Sequence, residues 1–161
     1  MSQNKLDISR ATEAVKAARF VEALSLLESN LAKDPNHIDS LYLAAVCSRY
    51  LKNYDDSKKY IESLLSKAPD MGRAYQELGH LNRDIGNQEN SIAHYRQACE
   101  LNPALLSSWK ALYDYFRTGN NKPAADHAFM QMNTLQSIPS VLLYISQIPV
   151  SYTHLTLPTK A

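Results

Sequence analysis

The chain has 161 residues, a length that fits one domain, with 45% hydrophobic and 20% charged residues. Its formal net charge of +1 provides no basic excess for nucleic acid or an anionic membrane surface. No segment approaches the roughly 20 apolar residues of a membrane helix, and no apolar signal core follows the first residues, so we expect a cytoplasmic protein.

The predicted elements are all helical, because Ala, Leu, Lys, Glu, Gln and Ser dominate the composition and glycine is scarce. In chain order, helices are predicted near residues 5–18, 21–33, 38–51, 55–67, 72–85, 89–101, 106–118 and 123–137. A ninth helix is expected to begin near Ser140. Its apolar run 141–145 has no predicted partner among these residues and is expected to be exposed here, whereas in a longer protein it would pack on a following hairpin. The sequence therefore predicts an all-α fold.

Three prolines set the period of these helices. Pro35, Pro69 and Pro103 are each 34 residues apart, and each follows the second helix of a predicted pair. Proline excludes the preceding residue from helical geometry, so each one ends a helix. The period divides residues 4–139 into units at about 4–37, 38–71, 72–105 and 106–139.

The residues within the units resemble a known repeat. The third unit is the clearest, with Tyr75, Leu78, Gly79, Gly86, Ser91, Tyr95, Ala98 and Pro103. In spacing and residue type these positions resemble the tetratricopeptide repeat, a 34-residue helix-turn-helix unit. The resemblance implies an α-α superhelix of about four hairpins. It also implies that the large residues between hairpins form the core: Phe20, Tyr54, Ile61, Tyr95, Trp109 and Phe129.

Three positions depart from the repeat pattern. Lys52 and Asn120 stand where the turn usually has glycine, with Gly119 one residue early, and Tyr113 replaces a small residue in the fourth unit. The packing of that unit is therefore expected to differ from the others.

The last residues differ abruptly in composition from the helical units. Residues 149–161 read PVSYTHLTLPTKA, a string that resembles a translated sequencing-library adaptor. A natural disordered tail is the alternative. If the string is an artefact, residues 140–148 are the truncated start of a further helix, and the natural protein is expected to continue beyond Ile148.

The candidate site is the concave side of the superhelix, which the first helix of each unit lines. Arg49, Arg83 and Arg117 are 34 residues apart and are predicted to form one line along that face. The other predicted site residues are Tyr42, Gln76 and Lys110 in a parallel row, together with Tyr50 and His80. Further groove-facing positions hold Asp39, Val46, Arg73, Asp84, Ser107, Asp114 and Thr118.

Guanidinium groups suit carboxylates, because they donate two parallel hydrogen bonds. We therefore predict that the groove binds a protein partner through an acidic peptide or a chain-terminal carboxylate. The alternative is a solvated helix face, on which each arginine pairs with a neighbouring acid such as Asp84 or Asp114.

Catalytic and metal signatures are missing from the sequence. No histidine pair shows ligand spacing, and no Gly-rich phosphate loop or nucleophile motif occurs. Cys47 and Cys99 are far apart and are expected to be buried free thiols in a reducing compartment. We predict no metal, no cofactor and no catalytic activity for these residues.

A narrower resemblance concerns units two to four. The segments RAYQELGHLNRDIGN and ELNPALLSSWKALYDYF resemble the N-terminal repeats of bacterial tetratricopeptide-containing sulfotransferases. In that group the repeats precede a catalytic domain that uses 3′-phosphoadenylyl sulfate. Two function classes stay open: a standalone binding scaffold, and a substrate-recruiting or regulatory arm of an enzyme.

Overall fold

The computed structural model describes residues 3–137, and all regular structure in this range is helical. The helices are α1 (Gln3–Lys16), α2 (Phe20–Lys33), α3 (Ile38–Tyr50), α4 (Tyr54–Lys67), α5 (Gly72–Asp84), α6 (Gln88–Leu101), α7 (Leu106–Thr118) and α8 (Lys122–Ser137). The predicted all-α fold is confirmed, and each of these eight helices was placed to within two residues. The predicted ninth helix and the adaptor-like string lie outside the described residues.

The helices pack as four antiparallel hairpins stacked in chain order. Each odd-numbered helix packs on the even-numbered helix that follows it, and α2, α4 and α6 each pack on the first helix of the next hairpin. The first helices α1, α3, α5 and α7 also contact one another in sequence. They therefore line one side of the stack, as expected for a superhelix of hairpins.

The hydrophobic core is divided among the junctions between hairpins. Leu27 and Cys47 belong to the cluster of hairpins one and two, Ile61 and Leu64 to that of hairpins two and three, and Tyr95 to that of hairpins three and four. Such a core stabilises each hairpin mainly through its immediate neighbours.

Each of the three periodic prolines follows the end of a second helix, as predicted. Helices α2, α4 and α6 end at Lys33, Lys67 and Leu101, and each proline follows two residues later. In the last two of these loops an aromatic side chain holds the proline carbonyl. The Tyr75 hydroxyl donates to Pro69 O at 3.1 Å, and Trp109 Nε1 donates to Pro103 O at 2.8 Å.

The turns inside the hairpins repeat the same backbone geometry. The residues with positive φ are Ala18 (56°), Lys52 (63°), Gly86 (82°) and Asn120 (54°), again at intervals of 34. The turn therefore needs a left-handed residue in every unit, although only one unit supplies glycine there. Gly119 has a φ of −81° and is only the residue before that position.

Small residues allow the two helices of a hairpin to approach closely. Ser57 Oγ donates to Ala45 O at 2.9 Å, and Ser91 Oγ donates to Gly79 O at 2.8 Å, at equivalent positions. A Cβ on Gly79 would lie 2.6 Å from ring atoms of Tyr95. Glycine at this position is therefore required by the large ring opposite it.

The fourth hairpin packs differently, and the prediction that Phe129 belongs to the core was wrong. Phe129 is 48% exposed, whereas the equivalent Leu27, Ile61 and Tyr95 are each at most 1% exposed. Tyr113 holds the position of Ala45 and Gly79, and its ring lies 5.8 Å from that of Phe129. Two large rings occupy the space that a small and a large residue share elsewhere, so Phe129 is displaced outwards.

None of the helices in the described part of the chain combines the length and the apolar character needed to cross a membrane.

Candidate functional site

The first arginine of the predicted row is buried in an ion network that joins α3 to α5. Its side chain is only 7% exposed. Arg49 Nε donates to Glu77 Oε1, and Arg49 Nη1 donates to Asp84 Oδ2 at 2.8 Å. Both ends of the guanidinium are thus engaged within the chain.

The electrostatics of the network keep Arg49 charged. Burial alone lowers the pKa of a guanidinium, but Glu77 and Asp84 outweigh it and raise the pKa of Arg49. Burial raises the pKa of the Glu77 carboxyl, opposed by the Arg49 guanidinium. Asp84 is less buried, and hydrogen bonds from Arg49 and Arg83 overcome its desolvation and lower its pKa.

The other two arginines of the row are open to solvent. The Arg83 side chain is 55% exposed, and its Nη2 lies 3.1 Å from Asp84 Oδ1. Arg117 is exposed, with its Cζ 5.7 Å from the centre of the Tyr113 ring. The three arginines are equally spaced in sequence but lie in different environments. Arg49 is buried in an ion network, Arg83 shares the Asp84 carboxylate with Arg49, and Arg117 lies beside the Tyr113 ring.

A cavity of about 410 Å³ opens between α5 and α7. Arg73 and Gln76 of α5 line it, facing Ser107 and Lys110 of α7. It thus brings together two predicted site residues, Gln76 and Lys110, with two further groove-facing positions. Leu105 and Leu106 supply the apolar part of its wall.

The cationic groups of this cavity are held by neighbouring side chains. The Arg73 Cζ lies 4.3 Å from the centre of the Tyr42 ring, so predicted site residue Tyr42 positions the guanidinium. Lys110 Nζ donates to Asp114 Oδ2 at 3.1 Å. Gln76 Oε1 accepts from Ser108 Oγ at 3.0 Å, which orients its amide nitrogen away from that hydroxyl. The cavity thus offers two cations and an amide.

The remaining predicted site residues, His80 and Tyr50, have structural partners. His80 Nδ1 lies 2.6 Å from the Tyr95 hydroxyl. Burial, together with Arg49 and Arg83, lowers the pKa of His80 to about 4, so its ring is neutral at pH 7. Tyr50 is exposed but stacks flat on Phe20, with ring centres 4.4 Å apart.

The residue that sequence reasoning missed is Glu77. It is 2% exposed and anchors Arg49, yet it was in none of the predicted rows. The sequence contained a signal for it. The equivalent positions in the neighbouring units, 34 residues away, hold the apolar residues Leu43 and Ala111, so Glu77 places a carboxylate at a repeat position that is otherwise apolar. Buried carboxylates are rare unless paired, which would have indicated a cationic partner nearby.

Comparisons with known proteins agree with this architecture. Two models described as tetratricopeptide repeat match residues 14–79 and 72–105, and together they span more than half of the chain. No curated protein matches the chain at a significant level.

Several solved structures share the fold at low sequence identity. MamA 41-end from Desulfovibrio magneticus RS-1 is 19% identical, with a TM-score of 0.68 over 83% of this chain and 76% of that chain. A further MamA crystal structure is 10% identical, with a TM-score of 0.69 over 83% and 78% of the two chains.

An enzyme structure matches over a small part of its length. The Thermobaculum terrenum O-GlcNAc transferase is 19% identical, with a TM-score of 0.66 over 72% of this chain and 23% of that chain. With four stacked hairpins, a 34-residue period and two matching repeat models, the chain belongs to the tetratricopeptide repeat family.

Proposed function

We propose that the chain is a non-catalytic scaffold that binds a protein partner along the side lined by α1, α3, α5 and α7. A carboxylate of the partner, from an acidic side chain or the chain terminus, sits in the cavity between α5 and α7. The observation that carries the proposal is the pair of cations on opposite walls, Arg73 and Lys110, in a cavity of about 410 Å³.

The physical reason lies in the chemistry of the cavity. A guanidinium on one wall and an ammonium on the other can share one carboxylate, and charge-assisted hydrogen bonds are stronger than neutral ones. The Tyr42 ring holds Arg73 in place before the partner arrives, which lowers the entropy lost on binding. Leu105 and Leu106 add apolar contact area beside the charge.

The arginine row contributes unequally in this proposal. Arg49 is closed off by Glu77 and Asp84 and keeps the two helices in register. Arg83 and Arg117 remain available to carboxylates further along an extended acidic peptide.

The experiment is a screen of the full chain against extended peptides, with free and amidated C-termini and with acidic or neutral side chains. Binding of the best peptide is measured by fluorescence anisotropy. For Arg73→Ala/Lys110→Ala we expect affinity to fall about tenfold or more, because the partner carboxylate loses both cations.

The matched control is Lys58→Ala/Lys59→Ala on α4. These lysines are exposed and pair with Glu62 and Asp56, as Lys110 pairs with Asp114, but they lie on a second helix. The control is expected to bind like the parent chain. Equal affinity of both double variants would contradict the proposal.

The arginine row has its own test, Arg83→Ala/Arg117→Ala, with Arg49 left in place so that Glu77 keeps its partner. Long acidic peptides are expected to lose affinity more than short ones. No difference between the two lengths would remove these arginines from the site.

A second candidate function is that of a recruiting or regulatory arm of a larger enzyme. The sequence resemblance to the repeats of bacterial sulfotransferases supports it. So does the fold shared with the O-GlcNAc transferase structure, in which the matching part is 23% of that chain.

The discriminating observation for this second function is the uninterrupted reading frame beyond Ile148. A strand followed by a phosphate-binding loop at a helix start would favour the enzyme arm. A stop codon after a further hairpin would favour the standalone scaffold.

A further inference from the structure

A second cavity, of about 330 Å³, lies between α6, α7 and α8, apart from the groove described above. Its walls are largely apolar and are formed by Cys99, Trp109, Leu112 and Phe116. Ala124 and Ala128 of α8 close one side. An apolar cavity of about 150 Å³ already accepts benzene, so this one has room for an aromatic ring.

The equivalent space at the first junction is filled by the chain itself. Position 128 corresponds by the 34-residue period to Tyr60 and His94. The Tyr60 ring packs against the clusters on both sides of its hairpin, and its hydroxyl donates to Glu28 Oε1 at 3.2 Å. Tyr60 thus bridges α4 to α2.

The second junction also has a ring at this position. The His94 ring lies 6.5 Å from that of Tyr75 in an edge-on arrangement. Trp109 is the equivalent of Tyr75 at the third junction, but there the ring-bearing residue is replaced by Ala128. Position 128 therefore lacks the ring that the two earlier junctions carry there, while the neighbouring His127 makes the edge-on contact with Trp109, 5.5 Å between ring centres, and the cavity lies beside Ala128.

We propose that this cavity is a binding site for one aromatic side chain of a partner protein. The ring would enter beside Trp109, in the place that Tyr60 and His94 hold at the earlier junctions. The polar edge of the cavity fits a tyrosine. Arg96 occupies the position of Glu28 and Glu100 lies one turn further along α6, so a hydroxyl finds both an acceptor and a donor.

The geometry of the lining favours a ring over an aliphatic chain. The Trp109 ring is held by its bond to Pro103 O and by an edge-on contact with His127 at 5.5 Å. The Arg96 Cζ lies 5.2 Å from the Phe116 ring centre and so borders the apolar wall. Aromatic side chains gain from edge-to-face contacts beyond the area that they bury.

The test uses the full chain and p-cresol, the side-chain analogue of tyrosine. Trp109 is the one tryptophan in the sequence, so its indole N–H gives a single assigned signal in a ¹H–¹⁵N spectrum. We expect a saturable shift of that signal with a Kd on the order of 1 mM, as for a fragment of this size.

The blocking variant is Ala128→Tyr, which restores the ring of the earlier junctions. It is expected to abolish the p-cresol shift, whereas Ala93→Tyr, at an exposed alanine of α6 outside the cavity, is expected to leave it unchanged. Ala124→Leu fills the same cavity from the neighbouring turn and serves if circular dichroism shows that Ala128→Tyr does not fold.

A pair of capped peptides, identical except for one tyrosine or alanine, links the cavity to a protein partner. The tyrosine peptide is expected to shift the Trp109 signal and the alanine peptide is not. The absence of a saturable p-cresol shift, or an equal shift in the filled variants, would overturn the proposal. Binding of p-cresol without binding of the tyrosine peptide would also overturn it, since the site would then take only small free aromatics.

Discussion

Two residues with polar side chains occupy turn positions that favour glycine. Lys52 has a φ of 63° and Asn120 a φ of 54°, and an L-residue in this region is strained. Asparagine tolerates the conformation better than lysine does. The backbone strain at Lys52 persists in the folded protein because packing fixes both of the helices that flank this turn.

Lys52→Gly is therefore expected to stabilise the protein by about 0.5–1 kcal/mol, the relieved strain less the extra entropy of glycine in the unfolded chain. Urea denaturation gives the free energy of unfolding. The control is Lys59→Gly, inside α4, which is expected to destabilise by about 1 kcal/mol. A loss of stability in Lys52→Gly would contradict the interpretation of this turn.

Gly79 and Tyr95 are a matched pair, as Ala45 and Ile61 are at the equivalent positions. Gly79→Ala places a methyl group against a buried ring and is expected to cost about 1–3 kcal/mol. In Tyr95→Ile the added methyl has room, so the double variant should be more stable than the sum of the single effects predicts.

The measurement for this pair is a double-mutant cycle from urea denaturation. We expect a coupling of about 1 kcal/mol or more, because the two residues are in direct contact. Additive effects would show that the close contact with the Tyr95 ring is not the reason why position 79 holds glycine.

His80 makes stability depend on pH. Its pKa falls from an ordinary value of 6.5 to about 4 in the folded chain, so the folded state favours the neutral ring. Between these values the unfolded chain binds more protons, and stability present above about pH 6.5 is lost as the pH falls towards 4. Between pH 7 and pH 5 we expect a loss of about 1–2 kcal/mol.

The check on this pH dependence is urea denaturation at pH 7 and pH 5 for the parent chain and His80→Gln. The variant should lose much of the difference. His94→Gln is the comparison variant: partial burial lowers the pKa of His94 as well, so this variant is also expected to reduce the pH dependence, and by less than His80→Gln does. An unchanged pH dependence in His80→Gln would assign the effect to other groups.

At the scale of elements, the contact between α3 and α5 combines close packing with a buried ion network. In Glu77→Leu the buried Arg49 loses one of its two carboxylates, so the variant is expected to cost about 1.5–3 kcal/mol, less than a wholly unpaired buried charge would. Leucine is the natural choice, because Leu43 holds the equivalent position in α3. Arg49 would then retain only Asp84.

Replacing both Arg49 and Glu77 tests whether their ion pair adds net stability to the folded protein or only fixes the position of α3 against α5. Arg49→Met/Glu77→Leu is expected to recover most of the loss, because Asp84 keeps Arg83 as its partner and no buried charge remains. Both variants are compared by urea denaturation. A double variant as unstable as Glu77→Leu alone would mean that the ion pair contributes net stability.

Helix positions were predictable from the sequence because proline and the repeat period act locally. Pro69 ends α4 whatever the tertiary packing around it, and the same argument holds for Pro35 after α2 and Pro103 after α6. The environment of Arg49 was not predictable in this way. Its burial depends on Glu77, 28 residues away, and on the angle at which two hairpins stack.

The same limit applies to Phe129 and to the cavity beside Trp109. The sequence showed that Tyr113 departs from the pattern, but it did not show which of two facing rings would be displaced. The cavity at Ala128 could have been found by aligning the units, since Tyr60 and His94 precede it in phase. The size of this cavity depends on how α6, α7 and α8 pack, which the alignment of the units does not give.

At the scale of the whole molecule, the stack has two distinct candidate surfaces. The first helices present the cations Arg73 and Lys110, and the second-helix side of the last junction presents an apolar cavity. A partner that carries an acidic segment and an aromatic anchor could use both at once. Linked contacts of this kind raise affinity through effective concentration, without any new contact.

Stability in such a stack is a sum of hairpin and neighbour terms, so the central hairpins should open last. In the described range, α3 to α6 each pack on helices at both sides, and Ile61, Leu64 and Tyr95 are almost fully buried. By contrast, α8 carries Phe129 and Met130 at 48% and 66% exposure. We expect amide hydrogen exchange to be slowest in α3–α6 and faster in α1 and α8.

Hydrogen exchange followed by mass spectrometry on the full chain measures this gradient. The occupied cavity supplies a control within the experiment, since saturating p-cresol should slow exchange in α6–α8 and leave α1 and α2 unchanged. Uniform protection along the chain would mean that the hairpins unfold as one unit. The free energy of packing between neighbouring hairpins would then greatly exceed the differences in stability among the individual hairpins.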